Sequence, residues 1–391
     1  MGGAADKPGG FVCPFTHSTF MPGELAYPCY IRLPMGGVRS AEIMQHVATR
    51  ILAAEFPETS HFCRPVHEHE RVCLPAWGLY VDNFYVVGTT QEETADMLAR
   101  GTAALTRAGL LCAVTHAASR EAKILGFWFN GSAGTVGVPA ERMRLLKTAG
   151  LWLPDQAYVE VDAVERLLGH FTWAFLAQRS LYSIFHALYE FIRLNRGRRV
   201  PWWSTAQNEL RLASRLVHMA VTEVGLPVAP VLLCSDAEGA SASDLGGGAV
   251  VACSLSHEEA VAFRNSAAWE TTPGDPPKPV LVHAIEGHAW EDVDVRRWRY
   301  VAHNNALEFE AALLAAKAVA RSRGLRYAYV PFLTDSSVVL GCMRKGRSSS
   351  FGLCCKGRKL AALKLGWGVH LFPRWVPTAL CPADGPSRRR F

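Results

Sequence analysis

Asp236, Glu308, Asp335 and Asp384 are the residues whose surroundings point to chemistry. Asp236 follows the apolar run Val231-Leu232-Leu233-Cys234-Ser235, and Asp335 follows Tyr329-Val330-Pro331-Phe332-Leu333-Thr334. Glu308 opens an apolar stretch with helical spacing, Leu307 to Arg321. Asp384 lies in the closing segment from Trp375 to Arg388. Carboxylates supply the oxygen ligands that Mg²⁺, a hard ion, requires. Several of them around an open pocket suit phosphodiester hydrolysis with two Mg²⁺ or Mn²⁺ ions. One ion would activate the attacking water and the other would stabilise the leaving 3′ oxygen. The intervals of 72, 27 and 49 residues are too long for a local loop motif, so only a fold brings the four together.

Each acid also has a plainer reading. Asp236 suits a turn before Glu238-Gly239, and Asp335 suits a cap on the following helix. Asp384 suits an Asx turn. Glu308 suits the electrostatics of a helix start, with Glu310 as its rival in the same turn.

The elements that must position these residues follow from periodicity and punctuation. A helix is expected over Ser40–Phe56, then a hairpin over Val72–Gly88, then a helix opened by Thr90 with Glu93 at capping-box spacing and closed near Gly109. A second hairpin is expected from Ile124–Phe129 and Thr135–Val138, joined at Asn130-Gly131. Val161 to Asn195 reads as helical and apolar, and a further helix as Gln207 to Val224. Gly225 to Pro230 is the expected boundary. Beyond it the order is strand at 231–235, glycine turn at 246–248, and strand at 249–254. Strands near Val280–Ala284 and Trp298–Val301 follow, then the helix with Glu308 and the strand before Asp335. That succession is the order of an RNase H-like α/β domain.

Composition bounds the rest. A length of 391 residues implies two or three domains, and 49% hydrophobic with 19% charged residues excludes a disordered chain. The apolar stretch Phe171 to Ile192 is broken by Gln178, Arg179, His186 and Glu190, so it reads as an amphipathic helix and not as a membrane span. The start MGGAADKPGG lacks a basic and an apolar signal region, which predicts an intracellular protein, nuclear or cytoplasmic. Eleven cysteines without a CxxC pair predict a reducing compartment. Net charge is +6, yet Arg344, Lys345, Arg347, Lys356, Arg358 and Lys359 cluster with no intervening acid. Such a run is either a solvated face or a grip on nucleic-acid phosphates.

Three further features are read as structural. Cys63, His67, His69 and Cys73 are zinc-competent types, but their spacing fits no common finger. Gly246 to Gly248 reads as a hairpin turn, since no Lys-Ser/Thr follows. Trp202-Trp203 reads as packing at a domain junction.

The run Leu333 to Ser350, LTDSSVVLGCMRKGRSSS, resembles the third RNase H block of DIRS-type retroelements, including the copies in dinoflagellate genomes. Trp375-Val-Pro-Thr with Pro382-Ala-Asp-Gly-Pro-Ser-Arg388 is similar to their closing block, Asn305-Ala-Leu-Glu308 to their second, and Ser235-Asp236-Ala237 with Gly246–Ala249 to their first. The resemblance covers roughly residues 30 to 391. It implies that Asp236, Glu308, Asp335 and Asp384 are metal ligands. It also implies a reverse transcriptase upstream. Tyr80-Val81-Asp82-Asn83 resembles the polymerase YxDD turn, with Asn83 in place of the second Asp. Leu33-Pro34-Met35-Gly36 resembles the block under template and nucleotide, and Lys123 to Phe127 the primer grip. Val164 to Trp173 is similar to the family's thumb or connection. The first metal-binding block and the fingers are missing.

The implied chain is an α+β and α/β multidomain protein. Its parts are an irregular lead over 1–30, a truncated reverse-transcriptase palm over 31–150, a helical thumb or connection over 151–226 and an RNase H-like domain over 228–391. Cleavage of the RNA strand of RNA–DNA hybrids is the expected function, without DNA synthesis. The alternative is a decayed retroelement fragment that only binds nucleic acid or does nothing.

Overall fold

The computed structural model describes residues 11–12, 19–20, 39–61, 74–114, 116–241 and 244–389. The Cys63–Cys73 cluster and the Leu33–Gly36 block, Pro34 and Gly36 included, lie outside them. The chain divides into two units, residues 1–63 with 74–115, and residues 64–73 with 116–391. The fold class is mixed α+β and α/β.

In the first unit, α1 (Ser40–Glu55) and α2 (Gln91–Arg107) cover a hairpin of β1 (Ala76–Tyr80) and β2 (Asn83–Val87). Ala48, Leu52, Phe56, Trp77, Leu79, Val86, Met97 and Leu105 form its core. The Thr90 side chain caps α2 by accepting from the Glu93 amide, as its spacing predicts. Gln45 of α1 braces the hairpin tip. Its Nε2 donates to the Leu79 carbonyl at 3.0 Å, and its Oε1 accepts from the Val81 amide at 2.6 Å.

The second unit begins with a meander of β3 (Glu121–Ile124), β4 (Phe127–Asn130) and β5 (Thr135–Gly137), to which β6 (Val221–Glu223) adds at the edge. Ile124–Phe129 is therefore not one strand. Leu125 and Gly126 both have positive φ and turn the chain there. The helical core follows, with α3 (Ala140–Trp152), α4 (Val161–Ala174), α5 (Ala187–Asn195) and α6 (Ser204–Leu216) around Phe171, Phe175, Phe185, Phe191 and Leu210. The expected continuous helix over 171–192 is broken: Gln178 has φ −146° and ψ 81°, and residues 175–184 wind as 3₁₀ turns. The break lets the buried Gln178 Nε2 donate to the Val221 carbonyl at 3.2 Å. The last expected helix stops at Leu216, because Val221–Glu223 is needed as a sheet edge. Trp202 stacks on Phe191 at 5.1 Å, with Trp203 edge-on to the same ring.

Five strands form the sheet that carries the acids. They are β7 (Val231–Ala237), β8 (Gly247–Ser254), β9 (Glu291–Arg297), β10 (Ala328–Thr334) and β11 (Val369–Trp375), in spatial order β9-β8-β7-β10-β11. β7 is antiparallel to β8, and β8 to β9, whereas β7–β10 and β10–β11 are parallel. Numbered within the sheet, this is 3-2-1-4-5 with a meander followed by helical crossovers, which is RNase H-like topology. Period-2 alternation sends Leu233 to one face, under α9 (Asn304–Arg321), and Leu232 and Cys234 to the other, against Phe263 of α7 (His257–Asn265), Trp269 and Leu281.

Two sequence expectations need correction. Val280–Ala284 is not a strand but part of α8 (Pro279–Gly287), with Pro279 starting the helix. The third strand is Glu291–Arg297, ahead of the expected Trp298–Val301. Beyond β10 come α10 (Ser337–Lys345), which ends at Gly346, and α11 (Phe351–Trp367). Gly346 has φ 68°, and a Cβ there would collide with the Arg179 carbonyl oxygen of the helical core, so only glycine fits.

Candidate active site

Asp236 lies on β7, the centre of the sheet, and Asp335 directly follows β10, its parallel neighbour. Their carboxylates come together at the carboxyl ends of these strands. One ligand atom each of Asp236, Asp335 and Cys381 lies within 4.8 Å of the others. Glu308 sits in the first turns of α9, 6% exposed, and its charge interacts with both Asp236 and Asp335. The helix phase separates it from Glu310, which pairs instead with Lys317 and Lys356. Asp384 opens the single turn α12 (Asp384–Ser387) and pairs with Arg388 at 2.5 Å. It stands outside the tight group, near enough for its charge to act on Asp236 and Asp335.

Hydroxyls and an amide orient these carboxylates. Ser387 Oγ donates to Asp236 Oδ2 at 2.5 Å and Thr378 Oγ1 to Asp335 Oδ2 at 2.8 Å. Asn304 Nδ2 donates to Glu308 Oε1 at 3.4 Å. Trp375 Nε1 donates to the Asp335 carbonyl at 2.8 Å, fixing the backbone. The opposite oxygens, Glu308 Oε2 and Asp335 Oδ1, are buried without a hydrogen-bond partner. A buried unsatisfied carboxylate oxygen is costly. Buried oxygen donors without a partner suit one or more hard divalent cations.

Burial, with help from the neighbouring carboxylates, makes ionisation difficult. Burial first, then the Asp335 and Asp384 charges, push the Asp236 carboxyl up to about 6. Burial and then Asp236 and Asp335 push Glu308 up to about 9. Burial also raises Asp335. Unfolded carboxyls titrate near 4, so between there and about 6 to 9 the folded chain holds more protons than the unfolded one. Stability then falls as pH rises across that window. The metal-free chain should have a lower Tm at pH 8 than at pH 5. Mg²⁺ should raise Tm more at pH 8, where it balances carboxylates that must be ionised, and Glu308→Gln should flatten the pH slope. A Mg²⁺ effect that is larger at pH 5 would contradict this electrostatic account.

The basic segment is divided. Arg344 pairs with Glu270 at 3.1 Å and Lys356 with Glu310 at 2.6 Å. Arg358 pairs with Glu209 at 2.6 Å and donates to the Ser183 and Ile184 carbonyls. These three are engaged inside the molecule. Lys345, Arg347 and Lys359 are exposed. Lys345 and Arg347 line an open cavity of about 350 Å³ with Ser337, Ser348 and Ser349. In the other unit, Tyr80 is 62% exposed at the end of β1, Val81 takes φ 55° in the tight turn, and Asn83 Nδ2 donates to Asp82 Oδ1 at 3.0 Å.

Cys381 and Ser387 were not foreseen. A lone cysteine and a serine in a Pro-rich closing segment carry no periodic signal, and only the fold shows them beside Asp236.

No protein-family profile matches the chain, and the comparison with curated proteins gives no match. Among solved structures, the chain is similar to foamy viral protease-reverse transcriptase in complex with double-stranded DNA, at 13% identity and TM-score 0.38, covering 92% of this chain and 51% of that one. Foamy viral protease-reverse transcriptase in complex with an RNA/DNA hybrid gives 13% identity and TM-score 0.37, covering 94% and 62%. LC11-RNase H1 with an RNA/DNA hybrid gives 15% identity and TM-score 0.25, covering 40% of this chain and 92% of that one. The chain thus spans less than two thirds of the foamy viral chains. No helix among the described residues is long and apolar enough to cross a membrane.

Proposed function

We propose that residues 228–391 form an RNase H-type endonuclease that cuts the RNA strand of RNA–DNA hybrids with two Mg²⁺ or Mn²⁺ ions. One observation carries the reading. On a 3-2-1-4-5 sheet, Asp236 on one strand and Asp335 just past the end of its parallel neighbour accompany the buried Glu308, with Glu308 Oε2 and Asp335 Oδ1 unpartnered. Bound divalent ions would supply water activation and charge neutralisation at the leaving oxygen. Asp236, Glu308 and Asp335 would hold them, with Asp384 at the margin. Ser387, Thr378 and Asn304 set the orientation of the three inner carboxylates. Lys345, Arg347 and Lys359 would meet the hybrid's phosphates.

In the same proposal, residues 31–150 are part of the palm of a DIRS-type reverse transcriptase, and 151–226 its thumb or connection. Asp82 is the one acid of its turn and by itself makes a weak Mg²⁺ site.

Glu308 and Glu310 provide the test, because they share a helix turn and differ only in direction. With a labelled hybrid and Mg²⁺, Glu308→Gln should slow RNA-strand cleavage by roughly a hundredfold, about 2.7 kcal/mol of barrier. Glu310→Gln should leave the rate nearly unchanged. Equal effects would remove Glu308 from the site. Hybrid binding by the unmodified chain without Mg²⁺-dependent cutting would favour a nucleic-acid-binding fragment.

A further inference from the structure

Cys381 is the member of the inner cluster that the hydrolytic reading does not use. It lies between β11 and α12, is 7% exposed, and has its Sγ 3.5 Å from Cys234 Sγ. Its Sγ shares the 4.8 Å group with the Asp236 and Asp335 carboxylates. A sulfur ligand adds little for Mg²⁺, which prefers oxygen. It adds much for Zn²⁺ and the softer Cd²⁺, which bind thiolate together with carboxylate. Donor atoms around a tetrahedral Zn²⁺ stand about 3.5 Å apart, so this group must close by about 1 Å. Asp335 is only partly buried, and its Oδ1 has no hydrogen bond to give up on approaching an ion. The unpartnered Glu308 Oε2, on a residue 6% exposed whose charge acts on the same two acids, is a fourth donor of the right type.

We propose that Asp236, Asp335 and Cys381 form a binding site for a thiophilic divalent cation of the Zn²⁺ or Cd²⁺ class. The site shares two carboxylates with the Mg²⁺ site, so the two kinds of ion exclude one another. Binding releases the Cys381 thiol proton to solvent and leaves the thiolate on the ion. The binding itself does not require that the chain be a nuclease. Its exclusion of Mg²⁺, and the inhibition of Mg²⁺-dependent cleavage by traces of Zn²⁺ that follows, rest on that reading.

The test uses the full chain, reduced beforehand and kept under inert gas, with Cd²⁺ as the probe. Thiolate bound to Cd²⁺ gives an ultraviolet charge-transfer band. The other cysteines contribute a background that Mg²⁺ does not affect. In the unmodified chain, excess Mg²⁺ should remove one thiolate's share of the band. Cys381→Ser should lack that Mg²⁺-sensitive share. Asp335→Asn should lack it too, and decides the matter if circular dichroism shows that Cys381→Ser does not fold. An undiminished Mg²⁺-sensitive share in either folded variant, or a total band in folded Cys381→Ser equal to that of the unmodified chain, overturns the proposal; a Cys381-dependent band that Mg²⁺ does not remove leaves the thiol site standing and rejects the shared Mg²⁺ site. A Mg²⁺-sensitive band in a chain that cuts no hybrid would reject the nuclease reading and leave the thiol site standing.

Discussion

Asp335→Asn and Asp236→Asn should each lower Mg²⁺-dependent cleavage of hybrid RNA by roughly a thousandfold, about 4 kcal/mol of transition-state stabilisation. Hybrid affinity should change little, because the phosphate grip is assigned to exposed cations and not to the carboxylates. The same substitutions should raise the Tm of the metal-free chain at pH 8. Asp236 is 5% exposed, and Asp335 and Asp384 oppose its ionisation, so an uncharged isostere relieves repulsion. Loss of activity together with a gain in stability is the signature of a group kept for chemistry at the expense of the fold. Cleavage assays and thermal melts on the same preparations read both signs. A variant that cuts as fast as the unmodified chain would end the assignment, and one that loses activity by unfolding would not support it.

Arg358→Ala should destabilise the second unit by about 3 kcal/mol, the lower end of the range for breaking a buried pair, since part of this guanidinium is exposed. For a unit of this size the Tm should fall by roughly 5 °C. Arg358 of α11 donates to the Ser183 and Ile184 carbonyls and to Glu209 Oε1. Glu209 Oε2 accepts the His186 and Leu188 amides, both at 2.9 Å. Without Arg358 the Glu209 carboxylate, its side chain 9% exposed, stays buried with Oε1 stripped of its Arg358 partner. Glu209→Gln in the Arg358→Ala background removes the stranded charge and should recover part of the loss. Equal melting of the single and double variants would mean that charge is not the cause. Lys345→Ala with Arg347→Ala should behave oppositely, leaving Tm nearly unchanged while weakening hybrid binding and its salt dependence.

This contrast shows what the sequence could and could not reveal. The strands that carry Asp236 and lead into Asp335 were legible because each is an apolar run long enough for a buried strand. The choice between Glu308 and Glu310 was not, since one turn of helix contains both and only the packing of α9 fixes the phase. The third strand was missed for a physical reason. β9, Glu291–Arg297, is an edge strand with mostly exposed side chains, so it has no apolar run to announce it. The apolar Val280–Ala284 drew the assignment instead, although Pro279 stood at its start. β11 was hidden by Pro373, which an edge strand tolerates. The basic cluster misled by composition alone. Counting charge does not show that Lys356 and Arg358 lie under acids more than forty and a hundred residues upstream in the chain.

The short turn α12 has a consequence in time as well as in space. Asp236 receives its hydroxyl from Ser387, which lies 151 positions later. Strands β7 to β10 can pair while synthesis continues, but the cluster gains its last orienting contact and its fourth carboxylate only after residue 387 has left the ribosome. Domains fold as units during synthesis. A nascent chain would therefore carry a formed sheet with an incompletely oriented carboxylate group, and metal-binding competence would be the last property the domain acquires.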